Sequence, residues 1–297
     1  MNIRSHGVRF SLLASAALSL AACAGTSDDS PSTESAAVTT SKVSTFFVSD
    51  IDDTIKATGI HSLGVVKNAL STTNEFAGMS ILYASWHAIE PKTKQITYLS
   101  AAPGPAINLG ISFLQASGFP GDSADVSDSV VGGRRSESAG QFKGSKLIAM
   151  YDAAVEKPAT MILVGDNGEQ DMIAYATLID HVKSAGGTTK VYSFIHHVYE
   201  SAGKATPIAS PHRAFLTAAD LAVQFYNAAW IDEAALTKVL NEVAHDSGKT
   251  HDLTDTVVPS FMECGRFTSW PVLDARAGTA NVATYATVKS NTKELCR

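Results

Sequence analysis

The sequence predicts an α/β fold in which a mostly parallel β-sheet lies between layers of helices. Three observations support this prediction: short apolar runs recur along the chain, helix-like segments separate them, and acidic or hydroxyl side chains directly follow several of the runs. Strands that alternate with helices form parallel sheets with right-handed crossovers, and such sheets bind ligands at the carboxyl ends of their strands. We therefore expect a three-layer, Rossmann-like sheet with its functional residues along one edge.

The predicted strands are short runs rich in β-branched and aromatic residues. They span residues 42–49, 96–100, 160–164 and 190–195. The predicted helices lie between these strands and span residues 105–117, 145–156 and 171–184. Together these elements form one domain over residues 43–200.

Two regions add to this core. Residues 56–95 form an insertion between the first two strands, and it is either a small cap over the site or a structural hairpin and helix. Residues 201–297 contain two amphipathic helical patterns followed by an irregular tail, and we expect them to pack on the same domain as a helical extension.

The N-terminus has the pattern of a secretory signal peptide, with Arg4 and Arg9, then an apolar run, then small residues before Cys23. The apolar run is shorter than the ~20 residues that a membrane span needs. The stretch Leu20-Ala21-Ala22-Cys23 resembles the lipobox of bacterial lipoproteins. That resemblance implies removal of residues 1–22 and acylation of Cys23, as with palmitate; the alternative is an ordinary signal peptide cleaved near an Ala-x-Ala site.

The expected location is extracytoplasmic, with the protein lipid-anchored to the periplasmic or cell-surface face of a bacterial membrane. Residues 23–42 are small and polar, which is typical of a flexible tether. After lipidation the remaining cysteines are Cys264 and Cys296, and in an oxidising compartment a disulfide is favoured over two free thiols. The formal charge of −6 over 297 residues argues against nucleic acid as a partner.

In the stretch "FFVSDIDDTIK", residues 46–56, an apolar run is followed closely by Asp50, Asp52 and Asp53. Carboxylates this close repel one another, so we expect a positive ion beside them. A second acidic turn, "GDNGEQD", follows the third predicted strand with Asp166 and Asp171. Several hard oxygen ligands at one sheet edge suit Mg²⁺.

This set of residues suits phosphoryl transfer. Asp50 is the candidate nucleophile, and Asp52 is the candidate acid and base for the leaving oxygen and the attacking water. Ser100 would donate a hydrogen bond to the phosphoryl group. Lys146 would supply a fixed positive charge; it competes with Lys143 and is preferred because it opens the predicted helix before the third strand.

The motifs "DIDDTIK", "YLSAAP", "GFP" and "ILVGDNGEQD" resemble, in this order and spacing, the haloacid dehalogenase superfamily, specifically its phosphatidate phosphatase catalytic-domain family, known from a fungal actin-patch protein. The resemblance covers about residues 43–200. It implies a haloacid-dehalogenase-like fold, phosphate monoester substrates with phosphatidate as precedent, and Mg²⁺ as cofactor. It also implies functional positions, namely catalytic Asp50, Asp52, Ser100 and Lys146, with Asp50, Asp52, Asp166 and Asp171 at the metal.

Some positions depart from the family pattern. The chain has Asn-Gly-Glu-Gln at residues 167–170 where the family has Ser-Gly-Gln, and His196 and His197 follow a strand where an arginine is expected. A pair of histidines after a buried strand is more often structural than functional. Thr54, Arg134 and Arg135 are candidate substrate-binding residues, although the two arginines also suit a solvated loop.

The sequence thus favours a Mg²⁺-dependent phosphatase that acts through an aspartyl phosphate, with phosphatidate or a related lipid phosphate as the leading substrate. A phosphatase for soluble phosphomonoesters is the first alternative. The second is a lipoprotein that keeps the fold but binds a ligand without turnover, and its expected sign, loss of the nucleophile or of the acid/base, is absent from the motif.

Overall fold

The structure, a computed structural model, describes residues 43–62, 65–247 and 257–297. The predicted signal peptide, the lipidation at Cys23 and the predicted tether lie outside the described residues. Within them, no helix combines the length and the apolar character needed to cross a membrane.

The centre of the fold is a parallel sheet, which has six strands over the described residues. The strands are β1 (Thr45–Ser49), β2 (Lys94–Leu99), β3 (Val130–Val131), β4 (Thr160–Asp166), β5 (Lys190–His196) and β6 (Arg213–Phe215). Their order is β3-β2-β1-β4-β5-β6, and every pair is parallel. Along the chain, β2 and then β3 are added on one side of β1, and β4, β5 and β6 are added on the other side. Parallel sheets bind ligands at such a reversal, beyond the carboxyl ends of the strands.

Helices cover both faces of the sheet, which confirms the predicted three-layer α/β fold. They are α1 (Val65–Leu70), α2 (Met79–Ala88), α3 (Ile107–Ala116), α4 (Ala139–Ala153), α5 (Asp171–Ser184), α6 (Ala218–Asn227), α7 (Glu233–Ser247) and α8 (Thr279–Leu295). Alternate residues of β1 face opposite layers: Phe46 and Val48 join the core beneath α4 and α5, whereas Phe47 joins the larger core beneath the other layer.

The structure departs most from the prediction at the start of α4 and in the C-terminal tail. Helix α4 begins at Ala139 rather than at residue 145, because Ser138 and Gln141 form a capping box that starts the helix earlier. The tail expected to be irregular contains α8, so that prediction is wrong. The buried face of α8 mixes Asn281 and Thr292 with apolar side chains, and this mixture hides the helical period.

The insertion between β1 and β2 has two parts. Helix α2 buries Met79, Leu82, Tyr83 and Trp86, and the last two rings contact Phe47 with centroids 4.7 Å apart. This part is structural. Helix α1, by contrast, has no buried residue and lies beside a pocket at the sheet edge.

The predicted disulfide is present between Cys264 and Cys296. It joins the segment between α7 and α8 to the residue that directly follows α8, across 32 positions of sequence. A crosslink over a loop of this length restricts the unfolded chain and so favours the folded state.

Candidate active site

The turn after β1 brings Asp50 to the reversal point of the sheet. The backbone N–H of Asp50 donates to the carbonyl of Val164 in β4 at 2.9 Å, which ties this turn to the neighbouring strand. The Asp50 side chain is buried, and its Oδ2 accepts a hydrogen bond of 2.9 Å from Thr54. Thr54, predicted to contact substrate, therefore orients the Asp50 carboxylate.

The turn after β4 places a second set of acids against the first. Asp166 Oδ1 accepts from the backbone N–H groups of Gly168 at 2.6 Å and Glu169 at 2.9 Å, and Asp171 Oδ2 accepts from the N–H of Asp166 at 3.1 Å. Gly165 permits this approach, because a Cβ at that position would lie 2.6 Å from Asp171 Oδ2. The carboxylates are therefore held by backbone donors in a tight turn.

Four carboxylates meet here, and we call them the acidic cluster: Asp50, Asp166, Glu169 and Asp171. Each offers an oxygen that lies within 4.8 Å of the oxygens offered by the other three. The structure thus brings together three of the four predicted metal-binding acids. Asp52 stands outside the group, and Glu169, which the sequence interpretation noted only as a departure from the family pattern, takes a place in it.

Lys143 is the cation of the acidic cluster. Its Nζ donates to Asp50 Oδ1 at 2.7 Å, to Glu169 Oε2 at 2.8 Å and to Asp171 Oδ1 at 2.6 Å, and its side chain is fully buried. Burial acts to lower the pKa of Lys143, but the three carboxylates outweigh it and raise this pKa well above its ordinary value.

The structure places Lys143, and not the predicted Lys146, at the acidic cluster. Lys146 is exposed, and its Nζ lies 5.6 Å from the ring of Phe142 rather than beside a carboxylate. Both lysines belong to α4, but the helix starts six residues before the predicted position. Lys143 consequently falls inside the helix, on the side that faces the acidic cluster.

The acidic cluster fits a divalent cation. Four carboxylates share one ammonium group, so negative charge exceeds positive charge in a buried space. Burial raises the pKa of Asp50 and of Asp166 well above the ordinary range, and the neighbouring carboxylates raise both further. Carboxylate oxygens in this number are the donors that hard cations such as Mg²⁺ prefer.

Asp52 lies at the wall of the pocket beside the acidic cluster. Its Oδ1 accepts a hydrogen bond of 2.6 Å from the hydroxyl of Thr58. Burial raises the pKa of Asp52, and the Thr58 hydrogen bond opposes that rise. This position suits a group that exchanges a proton with a ligand in the pocket.

The pocket has a volume of about 230 Å³ and is lined by both polar and apolar residues. The polar lining consists of Asp52, Lys56, Thr58, Arg134 and Glu169. The apolar lining comes from the turn after β2 and from α1 and α3, and includes Val65, Ala69, Pro103, Ala106 and Leu109. The lining therefore offers both charged and apolar contacts to a ligand.

The remaining predicted residues fall in different surroundings. Ser100 is buried at the end of β2, and its hydroxyl accepts from the N–H of Ala102 at 3.1 Å. Arg134 lines the pocket and is fixed by bonds from Nε to the carbonyl of Ala101 at 3.0 Å and from Nη1 to the carbonyl of Glu137 at 2.9 Å. Arg135 is exposed.

The two histidines differ from each other. His196 is buried, with Nε2 3.0 Å from the carbonyl oxygen of Leu216 and Nδ1 3.0 Å from that of Asp53, and burial lowers its pKa to about 4. His197 Nε2 lies 3.1 Å from Glu200 Oε1. The contacts of His196 connect the turn after β1 to the segment after β6, which is a structural arrangement.

Sequence reasoning missed three side chains at the site: Lys56, Thr58 and Glu169. Glu169 lies inside the acidic turn "GDNGEQD", so its charge was a signal that could have found it. Lys56 and Thr58 closely follow the first acidic motif, but they carry no residue pattern of their own. Their role depends on how the chain turns after β1.

The sequence and the structure were compared with known proteins. Residues 45–185 match the family model "Phosphatidate phosphatase APP1, catalytic domain". No curated protein matches the chain. Among solved structures, a class C acid phosphatase from Bacillus anthracis with tungstate bound is similar at 14% identity and a TM-score of 0.28, and the match covers 50% of this chain and 65% of that one.

Proposed function

We propose that this protein is a phosphoric monoester hydrolase that uses Mg²⁺ and acts on phosphatidate or a related lipid phosphate. The match of residues 45–185 to the family model of the phosphatidate phosphatase APP1 catalytic domain supports this proposal. The observation that carries the proposal is the acidic cluster with Lys143 at its centre. It lies at the reversal point of the sheet and beside a pocket whose lining is partly apolar.

In the first step, a carboxylate oxygen of Asp50 attacks phosphorus. The bond between phosphorus and the ester oxygen breaks, the ester oxygen takes a proton from Asp52, and an alcohol leaves. Thr54 orients Asp50 for this attack through its 2.9 Å hydrogen bond. Ser100 and Lys143 hold the phosphoryl group by a hydrogen bond and a positive charge.

In the second step, a water oxygen attacks the phosphorus of the aspartyl phosphate. Asp52, now a carboxylate, takes one proton of the water, and the bond between phosphorus and Asp50 breaks. Inorganic phosphate leaves, and both aspartates return to their starting states. One difficult hydrolysis is thus divided into two easier displacements.

Mg²⁺ would be held by the acidic cluster. When bound, the cation supplies positive charge that offsets both the carboxylates and the phosphoryl oxygens. Lys143 would remain as a second, covalently fixed positive charge in the same space. The oxygen donors of the four carboxylates support this assignment.

Helix α1 supports a lipid substrate. Val65 and Ala69 line the pocket, while Val66 and Leu70 of the same helix are 69% and 62% exposed. Exposed apolar side chains at the mouth of a substrate pocket suit contact with acyl chains or a lipid surface. A pocket of about 230 Å³ holds the headgroup, and the acyl chains would extend past α1.

A phosphatase for small soluble esters is the second candidate, favoured by one observation. The limited pocket volume accommodates a short phosphate ester entirely, and the positive charges of Lys56 and Arg134 in the lining suit a polar leaving group. The two candidates share the chemistry of the acidic cluster and differ in the group attached to the ester oxygen.

The deciding experiment measures phosphate release by the full chain with Mg²⁺ or with EDTA. Phosphatidate in mixed micelles is compared with glycerol 3-phosphate and p-nitrophenyl phosphate. We expect Mg²⁺-dependent release that favours phosphatidate and is lost in Asp50→Asn, while Asp180→Asn, an exposed acid further along α5, stays active.

The other outcomes point elsewhere. A preference for glycerol 3-phosphate would favour the soluble-ester phosphatase. Equal activity of Asp50→Asn and wild type would remove Asp50 as the nucleophile, and release from none of the substrates would favour a non-catalytic binding protein.

The anchor and the location belong to the same proposal. The lipobox-like stretch ending at Cys23 supports lipidation, and the Cys264–Cys296 disulfide is typical of an oxidising, extracytoplasmic compartment. Intact-mass measurement of membrane-extracted protein should show a chain that starts at Cys23 and carries lipid. A lipid-free chain with another N-terminus would contradict the anchor, and Cys23→Ala is the control.

A further inference from the structure

We infer that Thr58 is the positioning residue for Asp52, and that Asp53 and Tyr199 hold the loop that presents Thr58. The inference rests on the proposed function, in which Asp52 protonates the leaving oxygen. It assigns a role to three residues outside the acidic cluster.

The contact between Thr58 and Asp52 is short and specific. Thr58 Oγ1 donates to Asp52 Oδ1 at 2.6 Å, and within the described part of the chain no other side chain donates a hydrogen bond to Asp52. Asp52 is half-buried and lies outside the acidic cluster, so neither Lys143 nor a shared cation fixes its orientation. Thr58 therefore sets which way this carboxylate faces.

The geometry also selects one oxygen of Asp52. Because Oδ1 accepts the Thr58 hydroxyl, Oδ2 is the oxygen left to carry a proton toward the pocket. A general acid must lie within hydrogen-bond reach of the leaving oxygen, and a carboxylate that rotates freely spends part of its time out of reach.

Asp53 holds the loop at residues 58–60 in place. Its carboxylate is fully buried and accepts three consecutive backbone N–H groups, from Thr58 at 3.1 Å, Gly59 at 2.6 Å and Ile60 at 2.9 Å. The hydroxyl of Tyr199 donates to the same carboxylate at 2.5 Å. One buried side chain thus fixes the backbone on which Thr58 stands.

The conformation of Asp53 explains how this arrangement forms. Asp53 has a positive φ of 56°, in the left-handed region that aspartate tolerates better than most residues. Its carboxylate is thereby placed to accept from the loop at residues 58–60, while Asp52, one residue earlier, lines the pocket. The adjacent aspartates of "DIDDT" therefore have different tasks, one chemical and one structural.

The inference predicts an effect that depends on the leaving group. An alkoxide leaving group needs a proton as the ester bond breaks, whereas p-nitrophenolate leaves readily without one. A misplaced Asp52 should therefore slow cleavage of glycerol 3-phosphate much more than cleavage of p-nitrophenyl phosphate. A general loss of folding would slow both equally.

The test measures kcat/KM of the full chain on these two substrates, because kcat/KM covers the steps up to departure of the leaving group. We expect Thr58→Val to lower kcat/KM on glycerol 3-phosphate by about 10- to 100-fold and on p-nitrophenyl phosphate by less than about threefold. Thr58→Ser, which keeps the hydroxyl, should restore most of the loss. Ser62→Ala is the matched control, since its hydroxyl bonds the carbonyl of Gly59 at 2.7 Å in the same loop without touching Asp52.

Tyr199→Phe provides a second variant should Thr58→Val fold poorly. It removes one hydrogen-bond donor to Asp53. The loss of kcat/KM should show the same substrate dependence but be smaller than in Thr58→Val. Equal losses on both substrates, or no loss on either, would overturn the positioning role. If the wild type cleaves glycerol 3-phosphate too slowly to measure, phosphatidate in mixed micelles takes its place as the substrate with an alkoxide leaving group; wild-type protein inactive on phosphatidate as well as on both small esters would instead overturn the proposed function, and this inference with it.

Discussion

The acidic cluster and Asp220 are both buried acids, but their surroundings are opposite. The acidic cluster at the sheet edge packs Asp50 against three other carboxylates and one lysine. Asp220, in the first turn of α6, is equally buried but is surrounded by neutral donors. Its Oδ2 accepts from the backbone N–H groups of Leu216 at 3.1 Å and Thr217 at 2.9 Å, and its Oδ1 accepts from the hydroxyl of Tyr285 at 2.7 Å.

The difference separates a structural carboxylate from a functional one. Asp220 accepts hydrogen bonds from backbone N–H groups at the start of α6, and through Tyr285 it connects α6 to α8. Its surroundings therefore stabilise the fold. The acidic cluster instead concentrates like charges, which opposes folding until a cation binds. Burial alone therefore does not identify a functional acid; the charges of its neighbours do.

The largest expected effect concerns the cation of the acidic cluster. Lys143→Met should lower kcat/KM by at least about 1000-fold, because it removes the positive charge that orients Asp50 and holds the phosphoryl group. Lys146→Met, on the exposed surface of the same helix, should change kcat/KM by less than about twofold. Phosphate release by the two variants checks this, and a large loss in Lys146→Met would contradict the site as described.

The next effect appears in stability. Asp220→Ala should lower the free energy of unfolding by about 3 kcal/mol, because it leaves two backbone N–H groups and the Tyr285 hydroxyl without their acceptor. Activity at temperatures below its unfolding transition should remain. Urea unfolding gives the stability, with Glu169→Gln as the counterpart in the acidic cluster. Since that change removes one of four like charges, it should leave stability equal or higher, and an equal loss in both variants would break the comparison.

Mg²⁺ binding should depend on the acidic cluster and not on Asp220. Mg²⁺ at 100 times its dissociation constant should raise the free energy of unfolding of the wild type by about 2.7 kcal/mol, because the ion binds the folded cluster. Asp220→Ala is less stable without Mg²⁺ but should show the same increase in the free energy of unfolding. Asp166→Asn should lose most of this increase. Thermal unfolding with Mg²⁺ or EDTA measures these shifts, and an undiminished shift in Asp166→Asn would place the ion elsewhere.

The smallest effect concerns a partly exposed acid. Partial burial acts to raise the pKa of Glu263, but Lys204 Nζ at 2.9 Å and the backbone N–H groups of Glu200 and Ser201 outweigh it and lower the pKa to about 2. A lowered pKa means that ionised Glu263 stabilises the fold above its ordinary value of 4.5 and that this contribution disappears as the pH falls through about 2. Water screens the pair, so Glu263→Gln should cost less than about 1 kcal/mol at pH 7, and this cost should shrink steadily as the pH falls from the ordinary value toward the folded-state pKa. A cost that stays constant over this range in chemical unfolding would rule out the charge as its cause.

The sequence alone determined the class of fold and the place of the site. Alternating apolar runs and helical patterns predicted strands and helices that the structure contains, including α5 with both of its ends. Acidic residues that follow two strands were placed at one sheet edge, and the structure shows Asp50 and Asp166 at that edge. Such features depend on local periodicity and on a general rule for parallel sheets, and both are present in the order of residues.

The tertiary structure decided which side chains meet. Lys143 and Lys146 lie three positions apart on one helix, so their spacing did not separate them; the start of α4 and its packing against α5 did. Glu169 joined the acidic cluster through a turn closed by backbone bonds to Asp166, and Thr58 reached Asp52 through a loop held by Asp53. The physical reason is that periodicity reports which face of one element is buried, whereas a site depends on distances between several elements and the turns that join them.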